Sequence, residues 1–444
     1  MRSLCLAGLL TALTALAAPP VSAVTFNKDV LPVLQKNCQT CHRPGEVAPM
    51  SLLTYQEARP YAKAIKAAVV NRKMPPWSAD PKYGHFANER RLTEKEISTL
   101  VAWADAGSPE GDSKDRPAPV QFADGWQIKP DLVVEMPKDQ EIAATGIIDN
   151  YYVIVKGNFT EDTWLTAAEV RPSNPSVVHH MRVWIRPPGS HWLEGAPYGD
   201  PVPLTFGFGG RGGRGGGGPA PAARVAPTQV QEILAKYNPG VDPQVFDEDG
   251  SAKLVPKGSD IVFETHYTTI GKAAKDRSRI GLVLAKSAPE RRYLTASGTG
   301  SANWVIPPGD SNFEVHGESV LDFDAKVAWF QPHMHLRGKD YMITATYPSG
   351  ETEVLLKTRF DFNWQLGYIM AEPKLLPKGT KLSAVAHFDN SVNNPLNPDP
   401  AKAVRFGIQS DDEMMLCYYG LIVAPEVQPD KVFKSGRQTI PNFD

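Results

Sequence analysis

Two histidines, His333 and His335, follow the apolar run Val327-Ala328-Trp329-Phe330. That run reads as the end of a buried strand. Strand side chains alternate faces, so both imidazoles project from one face and Met334 points the other way. Two imidazoles so placed are half of a metal site, and imidazole suits copper, zinc or iron. A second doublet, His179-His180, lies upstream, with His266 as its natural third ligand. Adjacent residues face opposite ways in a regular strand. His179 and His180 therefore meet on one ion only at a bulge or a strand end. For His333 and His335 the residues alone leave the third ligand open. His387 holds the place equivalent to His266, while Met414, Met415 and Cys417 lie downstream, and a thioether would favour Cu(I).

A third constellation is Cys38-Gln39-Thr40-Cys41-His42. This is C-x-x-C-H, the attachment signature of c-type haem. The two thiols bond the porphyrin and His42 supplies the proximal iron ligand. A zinc or redox C-x-x-C is the alternative, but no second C-x-x-C exists to complete a zinc site. Methionine is the usual sixth ligand where the haem carries electrons. Met74, in Lys73-Met74-Pro75-Pro76-Trp77, is preferred to Met50 because the two prolines hold its loop out of helix as a strap.

The elements that must position these groups follow from composition and pattern. The chain has 444 residues, more than one ordinary domain, with 40 prolines and 36 glycines. Its formal net charge of −2 gives no electrostatic case for nucleic acid. Residues 1–23 read as an export signal: Arg2, an apolar run containing Cys5, and the small-residue cleavage site Val21-Ser22-Ala23. No later stretch is long and apolar enough for a membrane span, so a periplasmic or secreted protein starting near Val24 is expected. A helix over Asn27 to Asn37 precedes the C-x-x-C-H. Another, opened by Thr93-Glu94-Lys95-Glu96 and closed at Gly107, follows it. They bound a small all-α domain at 24–110 that resembles class I cytochrome c, followed by a linker at 111–127 rich in Pro, Asp and Ser near its start.

Beyond Gln127 the pattern becomes short alternating runs such as Tyr151-Val153-Val155 and Ile261-Phe263-Thr265, the signature of all-β sandwiches. Phe206 to Ala223 interrupts it with a glycine-rich stretch expected to be a surface loop. An internal repeat is visible. Lys253-Leu254-Val255-Pro256-Lys257-Gly258-Ser259 leads to His266-Tyr267, and Lys374-Leu375-Leu376-Pro377-Lys378-Gly379-Thr380 leads to His387-Phe388 with the same spacing. Two homologous sandwiches are expected, at 128–288 and 289–444.

The ordered set His179-His180-Met181, His266-Tyr267, His333-Met334-His335 and Asp412-Glu413-Met414 resembles the copper type II, ascorbate-dependent monooxygenases, the peptidylglycine α-hydroxylating and dopamine β-hydroxylating enzymes. The resemblance covers most of residues 128–430. It implies two jelly-roll-like sandwiches, each holding a copper ion, that face a solvent-filled cleft. His179, His180 and His266 would hold the electron-transfer copper. His333, His335 and Met414 would hold the oxygen-binding copper, with Tyr418 touching substrate and His387 left structural. Where peptide-amidating members carry Arg and Asn, this chain has Gln331 and Leu416, which argues against peptide substrates. Cys417 is the single cysteine of the β region, so the animal enzymes' disulfides cannot form. The expected function is hydroxylation of a C–H bond in a small organic substrate with O2. An external donor would supply electrons through haem c to two copper ions. The alternative is a copper- and haem-bearing electron carrier.

Overall fold

The computed structural model describes residues 24–123, 125–204, 232–407 and 409–434. The expected export signal and glycine-rich stretch lie outside these residues.

Thr93 starts the helix Glu94–Asp105. Its hydroxyl accepts from the Glu96 N–H (3.2 Å), and the Glu96 carboxylate accepts from the Thr93 N–H (2.7 Å), a reciprocal capping box. Gly107, at φ 81°, lies just beyond the helix end. The helix expected over Asn27 to Asn37 is a π-helical turn, Phe26–Val30, running into Leu31–Asn37. With Tyr55–Ala58 and Ala62–Val70, these helices enclose Phe26, Leu34, Leu52, Leu100 and Trp103. The segment after Met74 leaves this cluster. Trp77, Ala79 and Phe86 pack in the C-terminal β core, and Ala79 and Phe86 form β-bridges to Thr358 and Met370.

The remaining chain is mostly antiparallel sheet. One five-stranded sheet runs in the order Pro201–Pro203, Tyr151–Lys156, Asp260–Tyr267, Val178–Arg186, Glu232–Tyr237. A four-stranded sheet runs Phe313–Val320, Lys381–Phe388, Gly338–Thr346, Thr352–Arg359. Between them a nine-stranded sheet extends from Leu132–Glu135 at one edge to Tyr368–Leu376 at the other. It crosses from the first half of the β region to the second through a short parallel pairing, Arg291 to Ser251 and Arg292 to Ala252. One apolar core joins the five-stranded sheet to the first half of this long sheet, and a second joins its other half to the four-stranded sheet. The two Pro-Lys-Gly turns hold equivalent places. Gly258 (φ 76°) and Gly379 (φ 87°) take the left-handed conformation, each just ahead of an interior strand.

Candidate metal centre

His179 and His180 open the strand Val178–Arg186, which pairs with Asp260–Tyr267. The pairing runs His266 to His180 and then Tyr267 to Val178, so His179 is the extra residue of a bulge. A bulge, one of the two arrangements that let both histidines face one ion, is therefore present, and it turns both imidazoles inward. His179 Nδ1 lies 3.0 Å from His180 Nδ1 and 3.3 Å from His266 Nδ1. Tetrahedral ligation by metal–imidazole bonds of about 2.0 Å requires nitrogen separations of about 3.3 Å. The three rings thus have the spacing of a ligand set. Burial lowers the pKa of all three, that of His266 to about 3, with the neighbouring imidazoles adding to the shift at His180 and His266. Neutral imidazoles are the form that ligates.

His333 ends the strand Ala325–His333, and His335 follows two residues on. Their ring centroids are 5.2 Å apart at 80°, and both side chains line one cavity. Met334 turns the other way into the C-terminal core, as alternation requires. The same alternation sorts the downstream sulfurs. Met414, Leu416 and Tyr418 line the cavity, while Met415 and Cys417 are buried in the core. His387 lies on another strand between Asp340 (2.7 Å) and Glu314 (3.1 Å), apart from the cavity lining.

Each imidazole of this pair is oriented through its Nδ1. His335 Nδ1–H donates to the Asp412 carbonyl (3.2 Å) and His333 Nδ1–H to Gln365 Oε1 (3.0 Å), which leaves both Nε2 atoms for a metal. Arg182 Nη2 stands 3.2 Å from His333 Nε2, and its guanidinium is anchored by Glu264 at 2.6 Å. Ligation by His333 requires Arg182 to give up that contact. Burial, then Arg182 and His335, hold His333 well below the usual histidine range. Burial takes His335 down to about 4 against the pull of the Asp412 carbonyl.

Sequence reasoning missed Glu413. It is fully buried and accepts from the backbone N–H of His335 (2.8 Å) and of Arg337 (2.6 Å), clamping the loop that carries His335. Its place beside Met414 was the available signal. Burial pushes its carboxyl up to about 8 despite these bonds.

The resemblance implied a solvent-filled cleft between the two ligand sets. His180, His333, His335 and Met414 line one cavity of about 80 Å³, with Arg182 on its wall. Phe362, from the second half of the β region, stacks on His179 at 5.2 Å between ring centroids.

At the N-terminal motif, Cys38 and Cys41 are free thiols whose pKa values are raised chiefly by burial, that of Cys38 to about 12. His42 Nδ1–H donates to the Met50 carbonyl at 3.3 Å, leaving Nε2 available. Cys41 abuts Gly240, where a Cβ would come within 2.8 Å of its sulfur, and Arg90 pairs with Asp242 at 2.8 Å. The motif therefore docks on the loop that follows Glu232–Tyr237, the strand beside the His179 strand.

No protein-family model matches the chain, and no curated protein matches it. Among solved structures, infectious bursal virus derived T=1 particles align at 8% identity over 69% of this chain and 72% of that one, with a TM-score of 0.17. The T13 IBDV viral particle aligns at 7% over 69% and 73%, with a TM-score of 0.16. Similarity this low carries no argument about fold or activity. Among the described residues, no helix is long and apolar enough to cross a membrane.

Proposed function

We propose that the chain is an exported haem- and copper-containing monooxygenase of the copper type II, ascorbate-dependent kind. It would hydroxylate a C–H bond of a small organic substrate with O2. One observation carries this reading: His179, His180 and His266 lie within ligating distance of one another, and His180 lines the same cavity as His333, His335 and Met414. Copper, when bound, supplies one-electron chemistry at both ligand sets and O2 activation at the one with sulfur. His179, His180 and His266 would hold one ion through Nδ1. His333 and His335 would hold the other through Nε2, with Met414 as the soft ligand. Tyr418, 6.2 Å from His333 between ring centroids, and Leu416 wall the reaction space.

In the same reading residues 24–110 are a cytochrome c domain, 111–127 a linker, and 128–288 and 289–444 two sandwiches. Cys38 and Cys41 hold the haem. The bond from His42 Nδ1 to a backbone carbonyl is the kind that orients a metal-ligating histidine. Met50 supplies that carbonyl, and Met74 would be the second residue ligating the haem iron. The haem, when bound, would supply one-electron transfer between an external donor outside the cytoplasm and the copper sites.

Metal analysis of the purified protein should find two copper ions and one haem iron per chain. Met414→Ala should abolish reductant-driven O2 consumption while the haem spectrum is unchanged. Haem without stoichiometric copper would refute the reading. The alternative is a copper- and haem-bearing electron carrier without hydroxylase activity. Absence of O2 uptake across a panel of small substrates, with copper fully loaded, would decide for the carrier.

A further inference from the structure

A second cavity, of about 260 Å³, lies where the segment after Met74 meets both β cores. Its walls are largely apolar, with Ile233, Phe246, Tyr293, Trp329 and Trp364 among them. Four polar groups on these walls lack the partner their chemistry requires. Trp77 Nε1 and Gln365 Nε2 are buried donors with no acceptor, and Glu248 Oε2 is a buried carboxyl oxygen with no donor, pushed toward its protonated form by burial and Asp247. Lys236, 6% exposed, donates through Nζ to Gln331 Oε1 and faces two aromatic rings, Trp329 at 3.7 Å and Tyr418 at 4.8 Å. Among the described residues no carboxylate offsets its charge. Glu232, buried on the same strand, is taken by Lys253 and Arg292.

Burial, then Arg182, push Lys236 well below the usual lysine range, so it holds its charge only beside an anion, and each orphaned donor adds a cost of its own. An anion rich in acceptor oxygens removes both penalties, and aromatic walls suit a flat apolar body. We propose that this cavity binds an aromatic carboxylate, with Lys236 as its cation and Trp77 and Gln365 as further donors.

That chemistry has two sources. One is a free aromatic acid. The other is a propionate of the haem, which rests on the functional reading above. Two features of the cavity suit the second. Gly240, on its wall, abuts the Cys41 sulfur, and Pro76 and Trp77 follow closely on Met74.

The test titrates 3-phenylpropionate, with 3-phenylpropanol as the uncharged control, into the full-length protein by calorimetry. The same titration is run on a Cys38→Ser/Cys41→Ser variant that cannot attach haem. A free-acid site predicts that wild type binds the acid and not the alcohol. Lys236→Met, an apolar change of similar size, should then weaken binding about tenfold or more, as loss of a charged hydrogen bond does. Trp77→Phe should weaken it by a smaller factor. A haem-carboxylate site predicts that wild type is blocked and the double-serine variant binds. Lys236→Met should then lower the midpoint potential of the haem, because a positive charge beside it is lost. If wild type carries no haem, the haem reading fails, and the carboxylate site predicts acid binding by both proteins. The proposal is overturned if neither protein prefers the acid to the alcohol, or if Lys236→Met leaves that preference unchanged.

Discussion

At the scale of single residues, the centre is built from imidazoles that burial keeps neutral. His266 and His335 sit at about 3 and about 4, with His180 and His333 also lowered, chiefly by desolvation. Each lies below the unfolded value of about 6.5. The unfolded chain therefore takes up protons that the folded chain refuses. The contribution of these rings to the stability of the metal-free protein is full above about pH 6.5 and falls as the pH drops toward about 4. Glu413, raised to about 8, acts in the opposite sense over this window, so the decline is read from thermal melts of the metal-free Glu413→Gln protein between about pH 7.5 and about pH 4.5; a flat profile there would place these rings in solvent. Glu413 gives a second residue-level prediction. Its two carboxylate oxygens serve different N–H groups, those of His335 and Arg337. Glu413→Gln leaves one of them without an acceptor and should destabilise the protein by about 1–3 kcal/mol, measured by denaturant unfolding. On the proposed copper assignment, the same change should weaken copper retention about tenfold or more in a chelator competition, because the clamp holds the loop that carries His335.

At the scale of elements, the site depends on where strands begin, end and bulge. The bulge at His179 and the strand end at His333 are the two irregularities that let neighbouring side chains converge. The helical quarter depends on its caps. Hydrogen bonds from Thr93, Lys36 and Asn37 outweigh desolvation and hold Glu96 down to about 2. Thr93→Ala removes half of the capping box and should cost about 1 kcal/mol, read as a lower midpoint in urea. Because the Glu96 carboxyl is depressed on folding, its contribution is present above about pH 4.3 and is lost as the pH falls toward about 2.

At the scale of the molecule, the halves of the β region share a sheet and a buried charge cluster. Glu232 accepts from Lys253, from Arg292 at 3.2 Å and from the Thr295 N–H at 2.8 Å, where the long sheet passes from one half to the other. Glu232→Ala strands two buried cations and should cost about 3–5 kcal/mol. The loss should appear as one cooperative unfolding transition shifted to lower denaturant. Separate melting of the two halves would show that they are energetically independent. Phe362 on His179 and the Ala79 and Phe86 bridges tie the parts together away from the sheet.

The sequence by itself determined what depends on local periodicity and residue chemistry. Alternation fixed which of His333, Met334 and His335 share a face. For the His-His doublet to share one ion, the sequence allowed only a bulge or a strand end, and the C-x-x-C-H and capping-box spacings were readable directly. It also yielded the mostly β class and the paired Pro-Lys-Gly turns. Only the tertiary structure decided what depends on approach between distant segments. Arg182 beside His333, Glu413 beneath His335 and Phe362 over His179 are contacts across many residues that no local pattern encodes. The shared cavity of His180, His333 and His335, and the uncompensated Lys236 in a separate cavity, belong to that second kind. Burial and unpaired donors are properties of packing, set when sheets and loops meet.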